Sequence, residues 1–344
     1  MARPRRTTLE DVARAAGVGV ATVDRVLNAR ARVAPVTAAR VMAAADATGY
    51  HGKAMLRRRL AEMAPACRFG FLLQKEGKWV YRTLADELKR ATLARGDVRA
   101  EPVFSFVGSL SAERLAEEVA RLGAEVDALA VVSVEHPAIT AEIDACAARG
   151  VAVYALLSPL GAEGLAGYVG LDGDRAGRTA GWAMARMART GGVIGVLVGS
   201  PRYLGHQANE RGFRDAMARH APDRRLSPSI MYLDDEAVAF EAARELLARH
   251  TDLAGLYHSG GGVGGVARAL EATGRAREIT YICHARSPES EAALRVGTAD
   301  LVIAGSFPAM AESVVGCMAG AVRTGLPGPR PRPERFELLT VENL

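Results

Sequence analysis

Stretches of almost uninterrupted apolar residues, each separated from the next by a helical segment, recur along most of this 344-residue chain. Phe69-Gly70-Phe71-Leu72-Leu73, Ala128-Leu129-Ala130-Val131-Val132, Val193-Ile194-Gly195-Val196-Leu197-Val198 and Ile279-Thr280-Tyr281-Ile282 are such runs, as is 151–156. A strand with one wet face alternates polar and apolar residues. A continuous apolar run instead predicts a strand buried on both faces, in a parallel sheet sandwiched between helices. The first run is followed by a helical pattern near 80–94. About 275 residues with this rhythm are more than one such unit holds and predict two subdomains. With 49% apolar residues the chain can fill both cores.

The first 60 residues are different. They hold 12 Lys and Arg against four acids, a net +8, whereas the remaining 284 residues hold 32 against 35, a net −3. A basic head on a mildly acidic body is the charge layout of a nucleic-acid reader joined to a second domain. A solvated basic tail is the competing reading, and the pattern speaks against it. Thr8-Leu9-Glu10-Asp11 places a capping hydroxyl three residues before a carboxylate, and Leu9, Val12, Ala13 and Ala16 follow at helical spacing. Gly17-Val18-Gly19 breaks that helix. A second helix is predicted from about Val20 to Leu27, with Val23, Val26 and Leu27 facing inward. A loop follows from Asn28 to Pro35. A third helix is predicted from Val36 to about Thr48, ended by Gly49. Two short helices joined by a glycine turn make a helix-turn-helix, whose second helix enters the DNA major groove. A generic three-helix bundle is the alternative. Val20, Ala21, Thr22, Asp24 and Arg25 face outward at the start of the second helix, where side chains read base edges.

The stretches Thr8-Leu9-Glu10-Asp11-Val12-Ala13-Arg14-Ala15-Ala16-Gly17-Val18 and Ala21-Thr22-Val23-Asp24-Arg25-Val26-Leu27-Asn28 closely resemble the headpiece of the lactose-repressor (LacI/GalR) family of bacterial transcription regulators. Val41-Met42-Ala43-Ala44-Ala45 to Gly49-Tyr50 resembles that family's third helix. The resemblance implies that Val20 and Ala21 read bases and that Thr8, Thr22, Asp24, Arg25 and Asn28 complete the DNA-facing set. Asp24 stands where the family usually has serine, and it either pairs with Arg25 or accepts from a cytosine amine. Gly19 replaces the usual serine cap. The resemblance also implies a hinge helix over residues 51–66, with Arg57 against phosphates. Leu60, with Leu56 as fallback, would be the leucine that wedges into the minor groove. A flexible basic linker is the alternative for this segment.

The body carries the resemblance further. Tyr168-Val169-Gly170-Leu171-Asp172, Ala176-Gly177-Arg178-Thr179-Ala180-Gly181 and Asn209-Glu210-Arg211-Gly212-Phe213 resemble the sugar-binding core of the same family, shared with periplasmic ribose-type receptors. The implied organisation is a headpiece over 1–50, a hinge over 51–66, and a two-lobed α/β periplasmic-binding-protein-like body over 67–344. Lobe 1 would take about 67–170 plus 300–325, and lobe 2 about 171–299 plus 326–344. The ligand would be a sugar, polyol or sugar acid between the lobes, at the carboxyl ends of the strands.

The resemblance gives Arg211 the role of the ligand-binding arginine, with a buried structural ion pair as the alternative, and gives Asp172 a ligand contact or a hinge hydrogen bond. Trp79 and Tyr81 follow the first strand, where an aromatic face can stack on a sugar ring. Glu135, Ser259 and His284 follow or end other strands and complete the ligand-binding candidates. The family's ligand-binding aspartate is expected near Gly260, where this chain has Ser259-Gly260-Gly261-Gly262-Val263-Gly264-Gly265. Free N–H groups at that helix start are then expected to hold an anionic or highly hydroxylated ligand. The same run contains GxGxxG, but no acid stands at a strand end about 20 residues on, so a dinucleotide site is not expected.

A homodimer on a palindromic operator is expected, and Phe336 to Leu344 shows no leucine heptads for a tetramer. Cys67, Cys146, Cys283 and Cys317 have neither zinc nor disulfide-framework spacing, and no run of about 18 apolar residues exists for a membrane span. The N-terminal Met1-Ala2-Arg3-Pro4-Arg5-Arg6 enters no apolar stretch, so a cytoplasmic location is expected. No catalytic, metal or cofactor role is assigned. A sugar receptor without a DNA role, and a nicotinamide-dependent enzyme, are the other function classes.

Overall fold

The computed structural model describes residues 7–28, 33, 35–50, 64–189, 191–326, 328 and 331–344. The expected hinge, with Arg57 and Leu60, lies outside the described residues apart from its last three positions, and so does the side chain of Asn28. In the head, helices α1 (Leu9–Ala16), α2 (Val20–Asn28) and α3 (Pro35–Ala47) form a small bundle. Its core is Val12, Ala13, Ala16, Val23, Val26, Val41, Ala44 and Ala45. Thr8 and Asp11 form the expected capping box at the start of α1. Gly17 closes α1 in the left-handed conformation (φ 63°), and Arg40 donates to the carbonyls of Ala16 (2.6 Å) and Gly17 (3.2 Å). Gly17→Ala is therefore expected to cost the headpiece about 1 kcal/mol. The methyl would be strained and would lie 2.8 Å from the Arg40 guanidinium. Hydrogen exchange of the headpiece amides measures the loss.

The body alternates strands and helices: β1 (Ala66–Gln74), α4 (Trp79–Leu93), β2 (Arg99–Val107), α5 (Ala112–Glu125), β3 (Ala128–Val131), α6 (Pro137–Ala148), β4 (Ala152–Leu156), β5 (Leu165–Val169). It continues with α7 (Gly173–Met187), β6 (Val193–Val198), α8 (Leu204–His220), β7 (Arg225–Met231), α9 (Glu236–Arg249), β8 (Leu253–Ser259) and α10 (Val263–Ala272). The last elements are β9 (Thr280–His284), α11 (Pro288–Val296), β10 (Leu301–Gly305), α12 (Phe307–Thr324) and β11 (Phe336–Leu339).

Among the described residues these strands make two sheets, ordered β2-β1-β3-β4-β5 and β11-β10-β9-β8-β6-β7. Every pairing is parallel except that of β11 with β10. The central strands are the continuous apolar runs of the sequence. Edge strands β2 and β7 are more polar and each contains a proline, Pro102 and Pro228, which an edge tolerates because it needs fewer ladder donors.

The chain crosses between lobes after β5, after β10 and after α12. The lobe boundary differs from the expected one. Strand β10 belongs to the second sheet, so residues 300–305 lie in lobe 2, and the return to lobe 1 begins with α12. That helix buries Met310, Ala311, Val314, Val315 and Met318 against Phe69, Leu84 and their neighbours. At the crossings Glu334 N donates to Gly170 O (2.9 Å), and Tyr168 donates its hydroxyl to Leu171 O (2.9 Å).

Helices α7 and α8 meet through a glycine seam. Gly177 faces the carbonyl of Asn209, Gly181 that of Phe213, and Gly212 that of Asp174. Around the seam pack Ala176, Ala180, Met184, Phe213 and Met217.

Candidate functional site

The carboxyl ends of strands from both sheets open onto one cleft of about 600 Å³ between the lobes. The size suits a small organic molecule. Backbone strain is concentrated at this place. Among the described residues, five without a glycine's freedom have positive φ: Lys75 (22°), Leu157 (65°), Leu233 (55°), Asp234 (54°) and Ala285 (69°). All five line the cleft. Strain of about 1–3 kcal/mol per residue persists only where surrounding structure holds it, and it clusters at functional sites.

Lobe 1 presents Gln74 at the end of β1, then Trp79 and Tyr81 on the first turn of α4, and Phe307 at the start of α12. The Trp79 and Phe307 rings are 6.0 Å apart. Lobe 2 sends Tyr203 across. It is buried with lobe 1 residues such as Val107 and Leu115, and it faces the hydroxyl of Tyr81. Burial and that facing hydroxyl push the Tyr81 phenol well above its ordinary range. Two backbone N–H groups also donate across the lobes: Glu135 N to Arg202 O (2.8 Å), and Gly205 N to the Ser158 hydroxyl (3.1 Å).

The lobe 2 wall rests on a buried tyrosine–histidine network. Nε2 of His258 lies 2.9 Å from the carbonyl of Gly261, which can only accept, so this nitrogen carries the proton. Nδ1 then accepts from the Tyr281 hydroxyl (2.7 Å), and Nε2–H is shared with the Tyr232 oxygen (2.6 Å). Tyr232 donates in turn to Ser259 O (3.0 Å). His284 pairs through Nε2 with the Tyr257 hydroxyl (2.9 Å), and Phe213 stacks on Tyr257. Burial holds His258 down at about 4 and His284 at about 3.

Of the ligand-binding candidates, Trp79, Tyr81 and His284 line the cleft. The others do not. Arg211 is exposed, and its guanidinium is held by Asp174 through two hydrogen bonds (2.8 and 2.6 Å), so it forms an ion pair as the alternative had it, but on the surface and not buried. The cleft-facing residue of that motif is Asn209. Arg211 stands two residues on, about 200° around helix α8. Asp172 caps α7 by accepting from Arg175 N (2.9 Å) at the hinge crossing. Glu135 turns its carboxylate to Gly161 N (2.9 Å). Ser259 is fully buried and accepts from the Asn209 amide (3.0 Å).

Gln74, Asp234, Tyr203, Asn209 and Phe307 were not among the candidates. Two of them had a signal. Gln74 is the one polar residue ending the run Phe69-Gly70-Phe71-Leu72-Leu73-Gln74, and Asp234 opens the acidic triplet Asp234-Asp235-Glu236 after β7. Asp234 bears on the expectation of an anionic or highly hydroxylated ligand at the glycine run. Its Oδ1 accepts from Gly261 N (2.7 Å), so the protein's own carboxylate takes one of the N–H groups before α10 and sets a negative charge beside the rest.

In the head, Val20 (42% exposed), Ala21 and Arg25 lie on the open surface of α2 above buried Val23 and Val26. Thr22 and Asp24 are half-buried. The Thr8 hydroxyl is engaged with Asp11, donating to its carboxylate (2.9 Å).

Two family models match the chain. One is described as "Periplasmic binding protein domain" and covers residues 112–325; the other, "Bacterial regulatory proteins, lacI family", covers 8–52. Similar curated proteins include the "HTH-type transcriptional regulator reg1" of Streptomyces lividans, 29% identical over 213 residues, or 60% of this chain. An "Uncharacterized HTH-type transcriptional regulator in aml 5'region" of Streptomyces limosus is also 29% identical, over 215 residues. In each case the match spans 58% of the relative's length. Similar solved structures include an ABC transporter solute binding protein of Agrobacterium vitis bound with alpha-D-tagatopyranose (TM-score 0.74, 19% identity, 80% of this chain and 95% of that one). Another is a periplasmic solute binding protein of Actinobacillus succinogenes with bound D-allose (TM-score 0.73, 16% identity, 80% and 98%). At these identities the likeness is one of fold.

Proposed function

The chain belongs to the family of periplasmic binding protein domains, and from that premise and its lacI-type headpiece we propose a transcription regulator whose grip on DNA is set by a small carbohydrate-like ligand in the cleft. The observation that carries the reading is the pairing of two surfaces in one chain. Helix α2, with Val20, Ala21 and Arg25 exposed, stands on its own small core in a head of net charge +8, and a strained, ligand-sized cleft lies between two lobes behind it. Val20 and Ala21 would meet base edges, Arg25 a guanine or a phosphate, and Arg57 and Leu60 would act in the connector. A homodimer would read a palindromic operator, because a two-fold assembly presents two copies of α2. Repression is the simplest mode of action, and a site on DNA puts the protein in the cytoplasm. The role is one of binding, not of catalysis.

Ligand closing the cleft would move the lobes against each other and alter the connector. By linkage, operator must then change ligand affinity by the same factor that ligand changes operator affinity. The test is fluorescence anisotropy with DNA from upstream of the gene, at several salt concentrations. The protein is expected to bind with a steep salt dependence. Arg25→Ala is expected to weaken binding by about tenfold or more. Indifference to every promoter fragment at low ionic strength would defeat the reading.

A further inference from the structure

We infer that the cleft selects a polyhydroxyl ligand that is uncharged or carries a protonated amine, and that it turns away carboxylated and phosphorylated relatives. The inference rests on the reading of the cleft as a ligand site and narrows the chemistry of its occupant.

The first ground is Gln74. Its side chain lines the cleft at the end of β1, is 1% exposed, and donates Nε2 to Val132 O (2.9 Å). That bond fixes the amide, since a flip would set two oxygens together. Its Oε1 is left buried without a hydrogen-bond partner. An unpaired buried acceptor is costly, and native proteins rarely keep one unless something else completes it. Only a donor completes it, and a ligand O–H or N–H reaching this end of the cleft is the group that would supply one.

The second ground is independent and comes from the other lobe. The N–H groups ahead of α10 would be the natural seat for an anion. Asp234 takes the Gly261 N–H of that seat and puts its own negative charge there, on the left-handed backbone of Leu233 and Asp234. Glu236 adds a second carboxylate on the same wall; its Oε2 accepts no hydrogen bond and has the Arg268 guanidinium 3.8 Å away. A carboxylate or phosphate entering here brings more acceptors to a wall of acceptors, and its charge adds to theirs. A hydroxyl or an ammonium group brings what is missing.

The basic residues of the cleft do not reverse this. Arg286 is held by Glu291 (2.7 Å), and Arg268 lies 3.8 Å from Glu236. Lys75 and Lys78, on the lobe 1 side, act on the Asp235 carboxylate across the opening, and Arg82 follows them on the first turn of α4. The rings of Trp79 and Phe307 offer faces to the C–H side of a sugar ring.

The test follows the thermal unfolding midpoint of the full-length protein against four matched sets of probes: neutral pentoses and hexoses, 2-amino-2-deoxyhexoses, the corresponding sugar acids, and hexose phosphates. A neutral or amino sugar is expected to raise the midpoint in a dose-dependent way, and the acids and phosphates are not. Gln74→Leu removes the acceptor without changing charge and is expected to weaken the best binder by about tenfold or more. Asp234→Asn keeps the shape and the bond to Gly261 N but removes the charge, and it is expected to admit sugar acids that the parent refuses. A protein stabilised by acids or phosphates alone overturns this selectivity and leaves the small-ligand reading standing. Unchanged binding in both variants overturns it too. No response to any set overturns both readings.

Discussion

Gly177→Leu is expected to leave the second lobe unable to fold, with loss of more than about 4 kcal/mol and protein recovered mainly as aggregate. Helices α7 and α8 approach so closely that a Cβ at Gly177 would enter the carbonyl of Asn209. The seam is reciprocal, because Gly212 on α8 lies against the carbonyl of Asp174, and Gly181 one turn on lies against that of Phe213. The obstacle at each point is backbone, which cannot swing away like a side chain. A leucine must therefore push the helix axes apart, and that would uncover Phe213, Ala176 and Ala180, all fully buried. Gly177→Ala is expected to fall between, at about 2–3 kcal/mol. The control is Gly320→Ala in the middle of α12, where an added methyl meets nothing within 4 Å. There the gain in helix propensity is expected to stabilise by up to about 1 kcal/mol. Urea unfolding of the three variants separates the cases. Parent-like stability in Gly177→Leu would mean that the two helices do not pack as described.

That seam also shows what the sequence makes legible and what it hides. The glycines of Gly177-Arg178-Thr179-Ala180-Gly181 and Gly212 stand out as a family pattern, but their purpose, backbone against backbone, is visible only once two helices are side by side. Buried central strands are readable because covering both faces demands one unbroken apolar run. Edge strands β2 and β7 escape the same rule, since one side of each strand has no neighbour and polar residues and proline are tolerated. The head is legible for a local reason: the cap at Thr8, the turn at Gly17 and the core spacing all act within a few residues.

The cleft is harder to read because its residues come from distant loops, and their direction depends on helix phase. Arg211 has the chemistry of a ligand clamp and the wrong phase; Asn209, two residues earlier, has the right one. Asp234 is harder still. The expectation was an aspartate near Gly260, and the carboxylate comes instead from the loop after β7, 26 residues earlier in the chain, to the neighbouring Gly261 N–H. A sequence shows which residue is missing from a position more readily than which distant residue fills it.

Stability of the body is expected to be nearly constant from pH 8 to 7 and then to fall steadily between pH 6.5 and about 4.5. The cause is the pair of buried imidazoles. Burial lowers His258 from 6.5 to about 4, and burial with the neighbouring His258 and His206 lowers His284 to about 3. In both the folded state disfavours the proton and the unfolded chain accepts it. Their contribution is therefore complete above the unfolded value of 6.5 and is lost as pH falls towards the folded values. For His258 alone the full span corresponds to about 3 kcal/mol. The two sites are coupled, so their effects do not simply add.

The charges around them are unequal. Asp234 favours the His258 proton, and so does the Gly261 carbonyl, but burial outweighs both. Carboxylates held low by partners, such as Asp97 and Glu118, contribute through the same linkage only once pH falls below their ordinary range near 4. Asp300, raised by its burial, takes up its proton earlier than an ordinary carboxyl and works against the fall, so the histidines dominate the upper part of the window. His258→Gln is expected to unfold more easily at pH 7.5, since Tyr232, Tyr281 and the Gly261 carbonyl lose a well-placed partner, yet to show a shallower slope below pH 6.5. Urea unfolding at half-unit steps of pH gives both quantities. A parent protein equally stable at pH 7 and pH 5 would show that these rings titrate freely and are not sealed beneath the cleft. A variant with the parent's slope would assign the effect to other groups.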